Sequence, residues 1–429
     1  MCDNKEISNE VPGSLNEGSS SSSSSNITTL YVDCLEELFE WLSHKDLLAL
    51  RQTCKRMKQT VDYYIRTNYP AVGKMEINDN NVKQIKKFHH RGSNPIELIE
   101  EVKISTRKFD LDEFKGLFNN VERIKLVNVK IEGEFYDFLK FCDKLKFLQI
   151  NMHASDGIVI GNGNEWLLRQ YPQLEHVGFK DGRETKQTID ELKTFFELNP
   201  NIHSLTTDYS FLGSHGIFLA QSRIKFDHLH VHVAGMLFNI DLLKELYRLG
   251  FYQRISLYGI LEGDAVASLA SIPGLTKVST SCSYFKFPAM PDLKEVSFTH
   301  GVYLLQPILK NVNNIEELYV DCCCFDNIVP LIRYFPKLKV IRFHDNDEGD
   351  EGDAYDRFEA TWGQYFNGNI VKLFALNKQR EKLNSACKLT IYVRQILFLK
   401  YKWAKTKTNY RLIELKRVQA HDEYMPQCD

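Results

Sequence analysis

Three histidines alternate along one short apolar run, FDHLHVHV, at His228, His230 and His232. On a β-strand successive side chains point to opposite faces, so these three share one face, with Leu229 and Val231 on the other. Imidazoles in such a row could hold zinc, and Asp208 falls in the column of His232 one strand earlier. They could equally form a pH-sensitive contact with a partner, or be plain contact residues of an amphipathic strand. A second cluster is Cys322, Cys323 and Cys324. Adjacent strand residues diverge and no second cysteine pair lies near them, so burial is expected there rather than metal. A third, DNDEGDEGD from Asp345 to Asp353, has Asp350 where a calcium-binding loop needs its turning glycine, and reads as a solvated acidic loop.

Other catalytic signatures are missing. The sequence contains no G-x-x-x-x-G-K phosphate loop, no G-x-S-x-G, no H-E-x-x-H and no paired C-x-x-C. No cofactor is implied, no catalytic residue is assigned, and the reading is of a binding protein.

The element carrying the histidines is one of a series. From Met75 onward the pattern apolar-x-x-apolar-x-apolar recurs with its central residue at Met75, Val102, Ile124, Leu148, Val177, Leu205, Leu229, Ile255, Val278, Val296, Leu318 and Ile341. The intervals run from 18 to 29 residues, the period of leucine-rich repeats. Helical stretches such as ELKTFFELNPNIHSL lie between the centres, with Asn or Pro at the turn, and Leu192, Phe195 and Phe196 make one apolar face. Cys323 occupies the place where such repeats put Asn or Cys. The expected fold is therefore α/β: a solenoid with a parallel sheet on its concave side and helices on its convex side. Twelve strands would span roughly 55 Å, a surface for a protein rather than a small molecule.

Residues flanking each apolar centre face the concave side. The candidate substrate-binding set is Phe147, His176, Asp208, His228, His230, His232, Arg254, Tyr258, Tyr319 and Arg342, with Phe147, Tyr258 and Tyr319 as exposed aromatic anchors.

Ahead of the repeats, Leu30 to Ile65 reads as a small helical unit. Asp33 can cap a helix carrying Leu35, Leu38, Phe39 and Leu42 on one face. Ser43 can cap a second carrying Leu47, Leu50, Cys54, Met57 and Val61. This stretch resembles the F-box, with Leu30, Leu35, Leu38, Phe39, Leu42, Ser43, Asp46, Leu47, Leu48, Cys54, Lys55 and Arg56 in register. Tyr31 stands where that family usually has proline, and Met57 where it often has tryptophan. The resemblance implies a substrate receptor of an SCF-type cullin-RING ubiquitin ligase, non-catalytic itself. Its F-box would bind the Skp adaptor through Leu30, Tyr31, Leu35, Leu38, Phe39, Leu42, Asp46, Leu47, Leu50 and Met57. An interaction scaffold that no longer engages the ligase, and a metal-dependent enzyme at the histidine strand, are the alternatives.

The whole chain sets bounds on these readings. Its 429 residues are 43% apolar with a net charge of -2, which gives no general attraction to nucleic acid. No apolar run reaches the roughly 18 residues needed to cross a bilayer. Ten cysteines without paired spacing point to a reducing compartment, cytoplasm or nucleus. The expected layout is a disordered Ser-rich tail at 1–29, the F-box at 30–69, about twelve degenerate repeats at 70–344, an acidic loop and helical segment at 345–385, and a cap at 386–429. That cap carries a basic segment from Arg394 to Arg417.

Overall fold

The computed structural model describes residues 30–39, 42, 44–68, 74–78, 99–105, 118–127, 138–151, 164–180, 189–233, 239–259, 264–280, 286–298, 309–321, 332, 335–344, 370–393 and 408–417. The Ser-rich tail, Ser43, the cysteine run at 322–324 and the acidic loop at 345–353 lie outside them. Two units divide the chain, Met1–Tyr64 and Ile65–Asp429.

The first unit is helical: α1 (Val32–Phe39), α2 (His44–Arg51) and the start of α3 (Lys55–Asn68), which runs past its boundary. Helix α1 starts at Val32, so Asp33 lies inside its first turn rather than capping it, and the Leu35 N–H donates to the Tyr31 carbonyl at 3.1 Å. Leu35 and Phe39 of α1, Leu47 of α2, and Met57, Val61 and Tyr64 of α3 are buried together. Phe39 meets Tyr64 edge to face with centroids 5.2 Å apart. Arg51 pairs with Asp62, tying α2 to α3.

Among the described residues, the second unit contains one all-parallel sheet of fourteen strands in sequence order. These are β1 (Lys74–Ile77), β2 (Glu101–Ile104), β3 (Arg123–Val127), β4 (Phe147–Asn151), β5 (His176–Lys180), β6 (Ser204–Asp208) and β7 (Phe226–Val233). They continue as β8 (Tyr252–Gly259), β9 (Leu275–Thr280), β10 (Glu295–Phe298), β11 (Glu317–Asp321), β12 (Val340–His344), β13 (Leu389–Val393) and β14 (Ile413–Arg417). All twelve expected apolar centres lie on strands β1 to β12, and they pair rung on rung from Met75 to Ile255. Ile341 pairs with Ile391 and Ile391 with Leu415, so the two stretches of the expected cap that read as strands, KLTIYV and LIELKRV, continue the same ladder. The physical reason is that LTIYV and IELKR keep the apolar alternation of the earlier strands.

Helices cover the apolar face of the sheet. Helix α4 (Ile189–Leu198) buries Leu192, Phe195 and Phe196, and α5 (Ile240–Arg248) buries Leu243 and Leu246. Asn239 caps α5 by accepting from the Asp241 N–H at 2.9 Å. Asparagines then stitch successive turns: Asn201 donates to the Pro172 carbonyl at 2.9 Å, and Asn314 to the Pro291 carbonyl at 2.7 Å. Buried Asn199 donates to the carbonyls of Arg169 and Phe195 and accepts from the Tyr171 N–H.

The ladder breaks register once, between β8 and β9. Ile255 lies opposite Leu275, but Leu257 lies opposite Val278, so Thr276 is an extra residue on β9. Gly259 ends β8 with φ 131°, and a Cβ there would overlap the Val233 carbonyl oxygen. That obstacle is backbone, so no rotamer relieves it. Gly259→Ala is expected to cost about 2–4 kcal/mol in urea unfolding. Gly213→Ala, where a Cβ meets nothing within 4 Å, is the control and should leave the midpoint nearly unchanged. Equal midpoints for the two variants would show that β8 tolerates the shift.

Candidate functional site

Two surfaces carry the candidate residues. On the helical unit, burial separates the expected adaptor-contact residues into two groups. Leu35, Phe39, Leu47 and Met57 are each 0% exposed, so they build the interior of the unit and offer no contact surface. Of the two roles open to them, helix packing and adaptor contact, their burial between α1, α2 and α3 is the packing one. Tyr31 is 84% exposed and Leu38 39%, with Val32 beside them. Asp46 is also exposed, while Leu30, Leu42 and Leu50 are half-buried. Met57, the second departure from the family pattern, is thus an interior substitution, and Tyr31 is a surface one.

The inner face of the sheet is built from rows of in-register side chains. One row runs Phe147, His176, Ser204, His228, Arg254, and the next runs Gln149, Gly178, Thr206, His230, Ser256. Asp208, His232 and Tyr258 form a third. Strands about 4.8 Å apart bring these groups into contact. His176 shares hydrogen bonds with the Ser204 and Thr206 hydroxyls at 2.9 and 3.1 Å, and its ring lies flat on Phe147 at 4.2 Å. His228 bonds Ser256 at 2.7 Å and stacks on His230 at 4.1 Å. His230 bonds the Tyr258 hydroxyl at 3.1 Å, and His232 stacks on the Tyr258 ring.

These contacts fix the protonation state. Burial first, then the Arg123 charge, pushes His176 down to about 3. Burial and Arg254 push His228 down to about 4. His230 is held well below the ordinary imidazole range by burial, with His228 and His176 adding to it. His176, His228 and His230 are therefore neutral at pH 7. Asp208 does lie opposite His232, as expected from the spacing. Among the described residues, however, no group of three His, Cys, Asp or Glu side chains is disposed to hold a metal ion.

Phe147 and Tyr258 are not the exposed anchors that period two alone suggests. Both are buried, because the protein's own cations and neighbouring rings cover them. Arg123 lies 4.4 Å over Phe147, and the Lys277 ammonium sits 5.7 Å from the Tyr258 ring and 4.9 Å from Tyr319. Lys277 also pairs with Glu295 at 2.9 Å. Arg342 continues the alternation between Tyr319 and Tyr392, at 5.6 and 4.3 Å, and Tyr319 is half-buried. Arg254 is exposed. Lys277, beside the apolar centre Val278, faces inward by period two, but its seat over two rings does not show in the sequence, nor does Tyr392. What finds them is the register, which puts each cation one or two rungs from an aromatic ring.

Among the described residues, fourteen parallel strands with helices and asparagine turns between them define a leucine-rich-repeat solenoid, which follows a helical domain in the sequence. That helical domain is an F-box domain: the F-box domain family model matches residues 27–68. No curated protein sequence matches the chain. Among solved structures, the leucine-rich-repeat-containing protein LegL7 of Legionella pneumophila is similar at 14% identity and a TM-score of 0.35, over 68% of this chain and 98% of that one. Among the described residues no helix is long and apolar enough to cross a membrane.

Proposed function

We propose that the chain is the substrate-recognition subunit of an SCF-type ubiquitin ligase, working in the cytoplasm or nucleus. Its F-box domain docks on the Skp adaptor of the cullin-RING core, and the inner face of the repeats holds the protein to be ubiquitinated. Such a subunit catalyses nothing itself; it raises the local concentration of substrate lysines near a conjugating enzyme. The observation that carries the reading is an F-box domain match whose first helix keeps a full interior yet leaves Tyr31, Val32 and Leu38 in solvent. Exposed apolar side chains at and just ahead of one short helix are what a docking partner can cover.

Capture of purified Skp adaptor by the full chain tests this. Binding is expected, and Tyr31→Asp with Leu38→Asp should weaken it at least tenfold, about 1.4 kcal/mol or more, without loss of helical signal. Arg254→Ala on the repeats should bind like the parent. The departure at Tyr31 favours one other reading, a repeat scaffold uncoupled from the ligase. A parent chain that does not bind would select it.

A further inference from the structure

Protonated histidines on the inner face would meet little counter-charge. The groups facing His176, His228 and His230 come from eight strands: Arg123 of β3, Phe147 and Gln149 of β4, Ser204, Thr206 and Asp208 of β6, and His232 of β7. Arg254, Ser256 and Tyr258 of β8, Lys277 of β9 and Glu295 of β10 complete the ring, with β5 giving His176 itself. His203, ahead of β6, adds a further basic group near His176. Three of these are fixed cations, of which Arg123 lies 4.0 Å from Glu101 of β2. Of the two carboxylates in that set, Glu295 is bound to Lys277 and Asp208 sits on the rung of His232. His228 and His230 are stacked at 4.1 Å, and His176 lies 5.8 Å from His230, so one proton opposes the next. Both His176 nitrogens are engaged with hydroxyls; the neutral ring accepts at one and donates at the other, and a charged ring can only donate.

We propose that the neutral imidazoles of His176, His228 and His230 are a latch holding β4 to β8 together, which acid releases while the repeats on either side stay folded. Locality follows from the architecture, because each repeat touches only repeats one or two places away in the stack. The sign follows from linkage. In an opened stretch the three rings titrate near 6.5, whereas in the closed sheet His176 and His228 lie at about 3 and about 4, with His230 also depressed. The opened form binds more protons, so the closed form is fully stable above about pH 6.5 and weakens as pH falls toward 4. This window lies above the ordinary carboxylate range, which separates the latch from general acid denaturation.

The test is hydrogen exchange of the full chain followed by mass spectrometry at pH 7.5 and 5.5, corrected for the intrinsic rate. Protection of β5 to β7 should fall roughly 100-fold if opening takes up two protons and roughly 1000-fold if three, while β11 to β14 change by no more than a few-fold. His228→Gln with His230→Gln should flatten the response. If that variant does not fold at pH 7.5, NMR titration of the histidine ring protons in the parent chain decides: depressed values support the latch. Ordinary values near 6.5, a uniform loss along all strands, or full protection down to pH 4.5 would each overturn it.

Discussion

Replacing Arg380 by Met is expected to remove about 3–5 kcal/mol from the C-terminal repeats. Arg380 lies on α6 (Ile370–Glu381) and is 0% exposed, the largest fully buried side chain among the described residues. Among the described residues no carboxylate pairs with it. Its guanidinium instead donates to five backbone carbonyls: Cys387 at 2.8 Å, Pro336 at 3.2 Å, Phe335 at 3.3 Å, Ile332 at 3.4 Å, and Leu338. Those carbonyls belong to the turn before β12 and the segment before β13, so one side chain joins α6 to two successive repeats. Burial lowers its pKa to about 10, which still leaves it charged at neutral pH. Without it each buried carbonyl loses a charge-assisted donor, at roughly 1–3 kcal/mol where no water can substitute. Arg380→Lys should fall between, since a point ammonium has three donors against the five of the planar fork. Urea unfolding gives the magnitude, and proteolysis should locate the damage in β12 to β14. A midpoint within 0.5 kcal/mol of the parent for Arg380→Met would show that the carbonyls find other partners.

Arg380 also marks where reading the sequence stops. The twelve apolar centres were legible because burial behind a parallel sheet imposes a repeating pattern on the chain itself, from Met75 to Ile341. Arg380 shares a helical face with Leu373, Leu376 and Asn377 at spacings of seven, four and three, a pattern that reads as a solvated basic end only if arginine is assumed to lie outside. Its partners are backbone oxygens, which leave no trace in residue identity. The inner face divides the same way. Which residues point inward followed from period two, and Asp208 against His232 followed from aligning the centres. That Phe147 and Tyr258 would be roofed by Arg123 and Lys277 did not, because it depends on where long flexible side chains end. In the F-box domain, Leu35, Leu38, Phe39 and Leu42 share one stripe on paper, and only the positions of α2 and α3 decide which of them are covered.

That division makes the sharpest contrast between two neighbouring positions. Phe39→Ala is expected to unfold the F-box domain, whereas Leu38→Asp is expected to leave it folded. Phe39 is fully buried, stacked edge to face on Tyr64 of α3 and packed in the same interior as Leu35, Leu47 and Met57. Emptying that site costs about 3–5 kcal/mol. A unit of roughly 40 residues has little more stability than that to lose. Leu38, one residue earlier, is 39% exposed and makes no such commitment. Both substitutions should weaken adaptor capture by the full chain, for different reasons that proteolysis separates. Phe39→Ala should make α1 to α3 susceptible to cleavage at 25 °C, and Leu38→Asp should leave them as resistant as the parent. Capture retained by Phe39→Ala would mean that the helices are held together by something other than this interior. Capture retained by Leu38→Asp would move the docking surface away from the exposed side of α1, leaving the Tyr63 side of α3, also exposed, as the face to probe next.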